Sequence, residues 1–162
     1  MSPFLIALII VILSFGFVLL FGAPYLPTMQ KQIDLAFKLA ALQPGQTVIE
    51  LGSGDGRVAI EAAKRGATVI AYELNPLLVI YSKIKCFKYR NRIKIRWANF
   101  WKAQWPEADI IFTFLLPKYM SKLDQKISDY PHRPVILVSY AFNIPGKKAV
   151  REDQGVFLYK YK

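Results

Sequence analysis

Residues 48–57 read VIELGSGDGR and residues 72–76 read YELNP, and between them they leave few folds open. An apolar run ends in an acid, Glu50, and glycines follow at 52, 54 and 56. A second apolar run, 68–73, ends in another acid, Glu73. A strand that breaks into a glycine turn and reopens as a helix builds one unit of a parallel sheet. Glycine suits the turn because it accepts positive φ and lets a ligand approach the backbone closely. The helix expected after it, over 55–65, presents free N–H groups at its start.

The rest of the chain continues the alternation. Strands are predicted at 47–51, 68–73, 92–96, 108–115 and 134–140, and helices at 55–65, 76–89 and 118–128. Asn75 suits a helix cap and Pro76 a first helical turn. An amphipathic helix is expected over 29–42, with Ile33, Phe37 and Ala40 or Ala41 on one face, ended by Gln43, Pro44, Gly45 and Gln46. The tail reads as a hairpin turning at 153–155, whose last strand, 156–161, adds an antiparallel edge. The fold class is therefore α/β: a Rossmann-like, mostly parallel sheet with an antiparallel last strand, preceded by one transmembrane helix. Three regions are delimited: an anchor at 1–23, a helical segment at 24–46 and the α/β domain at 47–162.

A dinucleotide site would use G-x-G-x-x-G and place a pyrophosphate on the helix N-terminus. Here the third glycine comes one residue early and Arg57 stands where that pattern wants glycine. S-adenosyl-L-methionine fits better. Its methionine end carries an ammonium, so an acid beside the turn is sensible, and Glu73 is placed to accept hydrogen bonds from both ribose hydroxyls. One glycine turn is a weak signal; strand, acid, GxGxG, helix, strand and acid in register are a strong one.

From about residue 24 onward the chain resembles class I S-adenosylmethionine-dependent methyltransferases. It is most similar to the small family containing the mitochondrial lysine methyltransferases that act on the c-ring protein of ATP synthase and on the adenine nucleotide translocase. The likeness lies in PYLPT (24–28), ELGSGDGR (50–57), YELNP (72–76), NFW (99–101) and IIFTFLLP (110–117). It implies cofactor binding by Glu50, Gly52, Ser53, Gly54, Asp55, Gly56, Glu73, Asn99 and Phe100. Asn99 departs from the Asp usual in relatives, and its amide still accepts from an adenine amine. The likeness further implies lysine methylation of a membrane protein, with Tyr25, Thr28, Leu115 and Pro117 as candidates to line the acceptor channel.

Composition bears on partners. Residues 3–23 carry no charge and are dominated by Leu, Ile, Val and Phe, and about 20 such residues span a bilayer. No basic residue precedes them, whereas Lys31 and Lys38 follow, which places the catalytic domain of a single-pass protein in the cytoplasm. The net charge of +11 is uneven. Lys83, Lys85, Lys88, Arg90, Arg92, Lys94, Arg96 and Lys102 occur between 75 and 105 without an acid. That stretch fits anionic lipid and equally a solvated helix face and edge strand. Cys86 forms no internal disulfide and is expected mid-helix, and the lone His132 builds no metal site.

Sequence rules also sort the remaining candidates. Ligands bind at the carboxyl ends of the strands in such sheets, so Asp109, at the opposite end of its strand, reads as structural. Trp97, Trp101, Phe114 and Tyr140 fit a core, and Trp101 and Phe114 have the better claim on a pocket. Nucleic acid is disfavoured as substrate: residues 114–117 read FLLP, without the Asn or Asp and paired prolines of adenine-amino enzymes. No dedicated base is expected, since an apolar pocket lowers a lysine pKa by desolvation. A small apolar, lipid or quinone acceptor stays open, as does a membrane-tethered domain that binds the cofactor without catalysis.

Overall fold

The computed structural model describes residues 2–21 and 26–162. Helix α1 spans Pro3–Phe21 and α2 spans Gln30–Leu39. Then follow β1 (Thr47–Leu51), α3 (Arg57–Lys64), β2 (Thr68–Glu73), α4 (Pro76–Lys85), β3 (Ile93–Trp97), β4 (Ile110–Thr113), α5 (Met120–Ser128), β5 (Val135–Tyr140), β6 (Arg151–Asp153) and β7 (Val156–Tyr161). Seven strands form one sheet in the order β3-β2-β1-β4-β5-β7-β6. The first five are parallel to one another, while β7 runs antiparallel to both β5 and β6.

Side chains that alternate along the strands fill two cores. Val48, Val69, Ala71, Ile110 and Phe112 face α2 and α3, where they meet Ile33, Phe37, Val58, Ala59 and Ala62. Ile49, Leu51, Ile70, Tyr72 and Ile111 face the other way, toward Leu123 and Ile127 of α5 and Trp105. This two-sided burial explains the near-continuous apolar strands. Each large aliphatic or aromatic side chain closed off this way contributes roughly 1.5–3 kcal/mol. Glu50 and Glu73 continue the α3-facing rows of β1 and β2, since side chains repeat every second residue.

Several boundaries differ from expectation, each for a local reason. Helix α3 starts at Arg57, because Gly56 before it is left-handed (φ +78°). Helix α4 stops at Lys85, and Phe87–Tyr89 form a 3-10 turn. Cys86 is thus the buried C-cap of α4 and not a mid-helix residue. Strand β4 is shorter than 108–115. Asp109 lies below its ladder, with its backbone N–H bonded to Thr47 O and its carboxylate accepting from Thr47 N at 2.7 Å. That is the structural role its position predicted. The last strand, β7, is not the sheet edge, because β6 folds back on it and takes the outer place.

Among the described residues no helix is long and apolar enough to cross a membrane. Helix α1 has 19 residues, which at 1.5 Å per residue is about 28 Å, against a hydrocarbon core of about 30 Å. The predicted span also took in residues 22 and 23, which lie outside the described residues.

Candidate cofactor and acceptor site

Strand order reverses between β1 and β4. At such a switch point the two neighbouring crossovers leave on opposite faces, and a crevice opens at the strand carboxyl ends. The glycine turn sits there. Gly52 N–H and Ser53 N–H both donate to Tyr72 O, at 3.0 and 2.9 Å, and Gly56 N–H donates to Ser53 O at 2.8 Å. The turn is thereby sewn to the end of β2. Gly52 and Gly56 show why glycine is needed. Gly52 has φ +86° and open space where a Cβ would stand. At Gly56 (φ +78°) a Cβ would come within 2.7 Å of Cys86 Sγ and 3.3 Å of Ser82 Cβ. The first glycine keeps ligand space free; the second lets α4 close against the turn.

The two acids behave differently. Glu73 is buried with both oxygens in use: Oε2 accepts from Gly54 N–H at 2.8 Å, and Oε1 accepts from Leu74 N–H at 2.9 Å and Asn75 N–H at 2.8 Å. It locks the turn to the start of α4 and retains acceptor capacity, since a carboxylate offers about four lone-pair sites. Glu50 is buried deeper, and its Oε2 has no hydrogen-bond donor. Desolvation pushes its pKa well above the usual carboxylate range, and the nearby charges of Asp55 and Glu73 push the same way.

Asp55, expected to touch the cofactor, has its carboxylate taken. It pairs with Arg57 and Lys85. Burial works to raise its pKa, yet the hydrogen bonds from those two cations hold it below the usual value. Asp55 is therefore a brace within the turn. Arg57 extends the brace, donating from Nη1 to Thr28 O at 3.3 Å, which brings buried Thr28 beside the glycine turn. Tyr25 lies outside the described residues.

The other predicted residues divide. Asn99 is partly buried and its Oδ1 accepts from Trp101 N–H at 2.9 Å, so the oxygen expected to meet an adenine amine already shapes its own loop. Phe100 packs against Trp101 with the rings tilted at 45° and centroids 4.7 Å apart. Leu115, a candidate for the acceptor channel, is buried in the α5-side core; Pro117 is exposed at the start of a 3-10 turn. Phe114 is half-buried beside Tyr140 and Phe142, at 4.7 and 6.4 Å between centroids, so aromatic rings stand at the carboxyl ends of β4 and β5. Trp97, expected in the core, is exposed. Trp101 belongs to the rim of a separate cavity of about 700 Å³, with Lys102, Trp105, Lys126 and Tyr130. No glycine-turn residue lines it, and Lys126 Nζ donates across it to Trp101 O and Ala103 O.

Sequence reasoning missed Thr113, while it singled out Ser53 as a cofactor contact and Asn75 as a helix cap without showing that each carries an unmet polar atom. Thr113 Oγ1 at the end of β4, Ser53 Oγ in the turn and Asn75 Nδ2 after β2 are all without partners, as is Glu50 Oε2. Buried polar atoms are ordinarily bonded. Four unmet atoms at the carboxyl ends of three adjacent strands and in the turn between them mark where a polar ligand or ordered water completes the structure. The buried Oε2 of Glu50, which has no donor, fits an ammonium, met directly or through one water, and the open side of Gly52 fits a ligand lying on the turn.

Known proteins share this arrangement. An RNA methyltransferase from Salinibacter ruber, solved with S-adenosyl-L-homocysteine, superposes with a TM-score of 0.77 at 26% identity, covering 84% of this chain and 92% of that one. The fold and turn are those of class I S-adenosylmethionine-dependent methyltransferases. Residues 50–151 match the ANTKMT methyltransferase domain, and the chain belongs to that family. The human lysine N-methyltransferase of the ATP synthase c-ring protein is 34% identical over 106 residues, which is 64% of this chain and 45% of the human protein. A protein-lysine N-methyltransferase of Saccharolobus islandicus is 28% identical over 148 residues, covering 84% of this chain and 92% of that protein. The chain spans about half the length of the ATP synthase methyltransferases it matches.

Proposed function

We propose that this chain is an S-adenosylmethionine-dependent protein-lysine N-methyltransferase that works on a membrane protein and is held to the bilayer by residues 3–23, with its catalytic domain on the cytoplasmic side. The observation that carries the cofactor assignment is the set of unmet polar atoms around the glycine turn, headed by Glu50 Oε2. Lysine as acceptor is supported by the names of the relatives. The anchor is supported by α1, an uncharged helix whose exposed side chains include Phe4, Ile12 and Leu13; such a surface is driven out of water.

In this reading Glu50 receives the ammonium of the methionine end, Gly52 and Gly54 bear it on the turn, and Glu73 takes a ribose hydroxyl on its remaining lone pair. Asn99 and Phe100 border the adenine, the ring offering its face and the amide nitrogen a donor. The bound cofactor supplies a methyl group on a positively charged sulfur. The chain's own part is to present the acceptor amine in line and uncharged. Thr28, tethered through Arg57, and the Phe114–Tyr140–Phe142 rings stand on the acceptor side. Apolar walls there favour the neutral amine, and fixed orientation supplies roughly 7–11 kcal/mol of the barrier reduction.

The test is transfer of radiolabelled methyl from S-adenosylmethionine to membranes, with Gly54→Val as control and separate protein and lipid extraction. Label in a discrete protein band, absent from the control and mapped to lysine, supports the reading. Label only in the lipid extract replaces lysine with a small acceptor. Cofactor binding without transfer to any membrane fraction makes the domain non-catalytic.

A further inference from the structure

We propose that the outward face of α4, together with Phe87 after it and Trp97 at the end of β3, docks on an anionic bilayer surface beside α1. The inference rests on the membrane attachment of α1 proposed above.

Helix α4 already has a core side. Val79, Ser82 and Cys86, spaced i, i+3 and i+7, are buried against the sheet. The opposite side of such a helix is ordinarily polar. Instead Ile80, Ile84 and Phe87 repeat at i, i+4 and i+7 and are 58%, 72% and 62% exposed, with Tyr81 beside them at 53%. Trp97 joins them. It lies on the α4-facing side of β3, the edge strand, is 67% exposed, and donates from Nε1 to Leu74 O at the foot of α4. Five large side chains thus crowd one edge of the domain, and exposed apolar patches of this kind mark interaction sites.

The charges identify the partner. Lys83, Lys88 and Arg90 are exposed among these side chains, and no acid occurs between residues 75 and 105. The Arg90 guanidinium lies over the Phe87 ring, 4.6 Å from its centroid, so one cation shares its position with an apolar ring. Apolar residues flanked by cations with long stems form the pattern of a helix lying in a headgroup layer, and Trp and Tyr favour that depth. Three other cations of the stretch are occupied: Lys85 pairs with Asp55, Arg92 donates to Gly66 O at 2.7 Å, and Arg96 contacts Tyr72 OH. Helix α1 packs against α4, so the patch adjoins the proposed anchor. An RNA backbone would neutralise the cations and leave Ile80 and Ile84 in water. Since α4 begins at the carboxyl end of β2, docking this face holds the cofactor turn near the bilayer.

The experiment uses the full chain in vesicles of phosphatidylcholine and phosphatidylserine (7:3) carrying a photoactivatable acyl chain, with labelled peptides mapped by mass spectrometry. Label at 80–90 and 97 as well as in α1, falling severalfold in pure phosphatidylcholine, supports the proposal. Each of Lys83→Gln, Lys88→Gln and Arg90→Gln should lower the docked-to-undocked ratio about fivefold, while cofactor binding in solution is unchanged. Label in α1 with none at 80–97 overturns the docking face and leaves the anchor standing. Label at 80–97 with none in α1 supports the face and removes the anchor. Absence of both overturns both, and protection of 80–97 by added RNA with no lipid label assigns the face to nucleic acid and overturns the proposal. S-adenosylmethionine binding, measured in parallel, reports the methyltransferase reading independently.

Discussion

Glu50 concentrates the chemistry of the site in one carboxyl group. Its raised pKa means the folded chain keeps a proton that the unfolded chain has lost. The stability attached to it is therefore full below the ordinary carboxylate range and falls as pH climbs through the raised value. Glu50→Gln removes that fall, so the melting temperature of the free protein should exceed the parent's at neutral pH, by a margin that shrinks toward pH 4. Cofactor affinity should move the other way. Losing a charge-assisted partner for the ammonium should weaken binding about 10- to 100-fold, and the parent's gain in affinity with rising pH should vanish; calorimetric titration across pH reads both. Gly56 and Gly52 make a second pair of opposites. Gly56→Ala faces Cys86 Sγ at 2.7 Å as well as positive φ, and should lose roughly 2–4 kcal/mol by urea denaturation. Gly52→Ala meets nothing, so it should lose only about 1 kcal/mol from backbone strain while weakening cofactor binding. Equal stability losses at the two positions would contradict this account.

The elements were largely legible in the chain because burial on both faces of a parallel sheet leaves a strong pattern. Strands β1 and β2 fall at 47–51 and 68–73 as read, and Asn75 caps α4, its Oδ1 accepting from Leu77 N–H and Leu78 N–H. What escaped were facts set by distant partners. The Asp55 carboxylate is paired by Lys85, thirty positions on. The burial of Leu115 is set by α5 closing over it, and Trp97 looks like core until β3 proves to be an edge. Thr113 gave no signal at all, since one threonine ending an apolar strand is unremarkable until it is seen buried without a partner. The Asn75 cap also ties stability to the site, because Asn75 N–H holds Glu73 Oε1. Asn75→Ala should cost about 1 kcal/mol in urea denaturation. It should also weaken cofactor binding by loosening Glu73. No cofactor penalty would mean that Glu73 is positioned by the turn alone.

An apolar helix on one side of a small α/β domain changes what the domain can meet. An enzyme and an acceptor confined to the same bilayer encounter one another at a concentration set by lipid area, which no longer depends on the volume around the vesicles. If α1 anchors this chain, methyl transfer to a lysine-bearing protein in the same vesicles should depend on the ratio of protein to lipid. A tenfold dilution of the vesicle suspension at saturating S-adenosylmethionine should leave the initial rate per enzyme nearly unchanged. Adding empty vesicles should also leave it unchanged, because an anchored enzyme does not redistribute over the time of the assay. A water-borne enzyme behaves differently on both counts: dilution slows it about tenfold while acceptor is below saturation, and empty vesicles with basic-patch affinity draw it off the acceptor. The two outcomes separate anchoring through α1 from reversible contact through α4, because anionic empty vesicles compete only in the second case. Saturating salt sharpens the distinction, since screening weakens the lysine and arginine contacts and leaves the burial of α1 untouched.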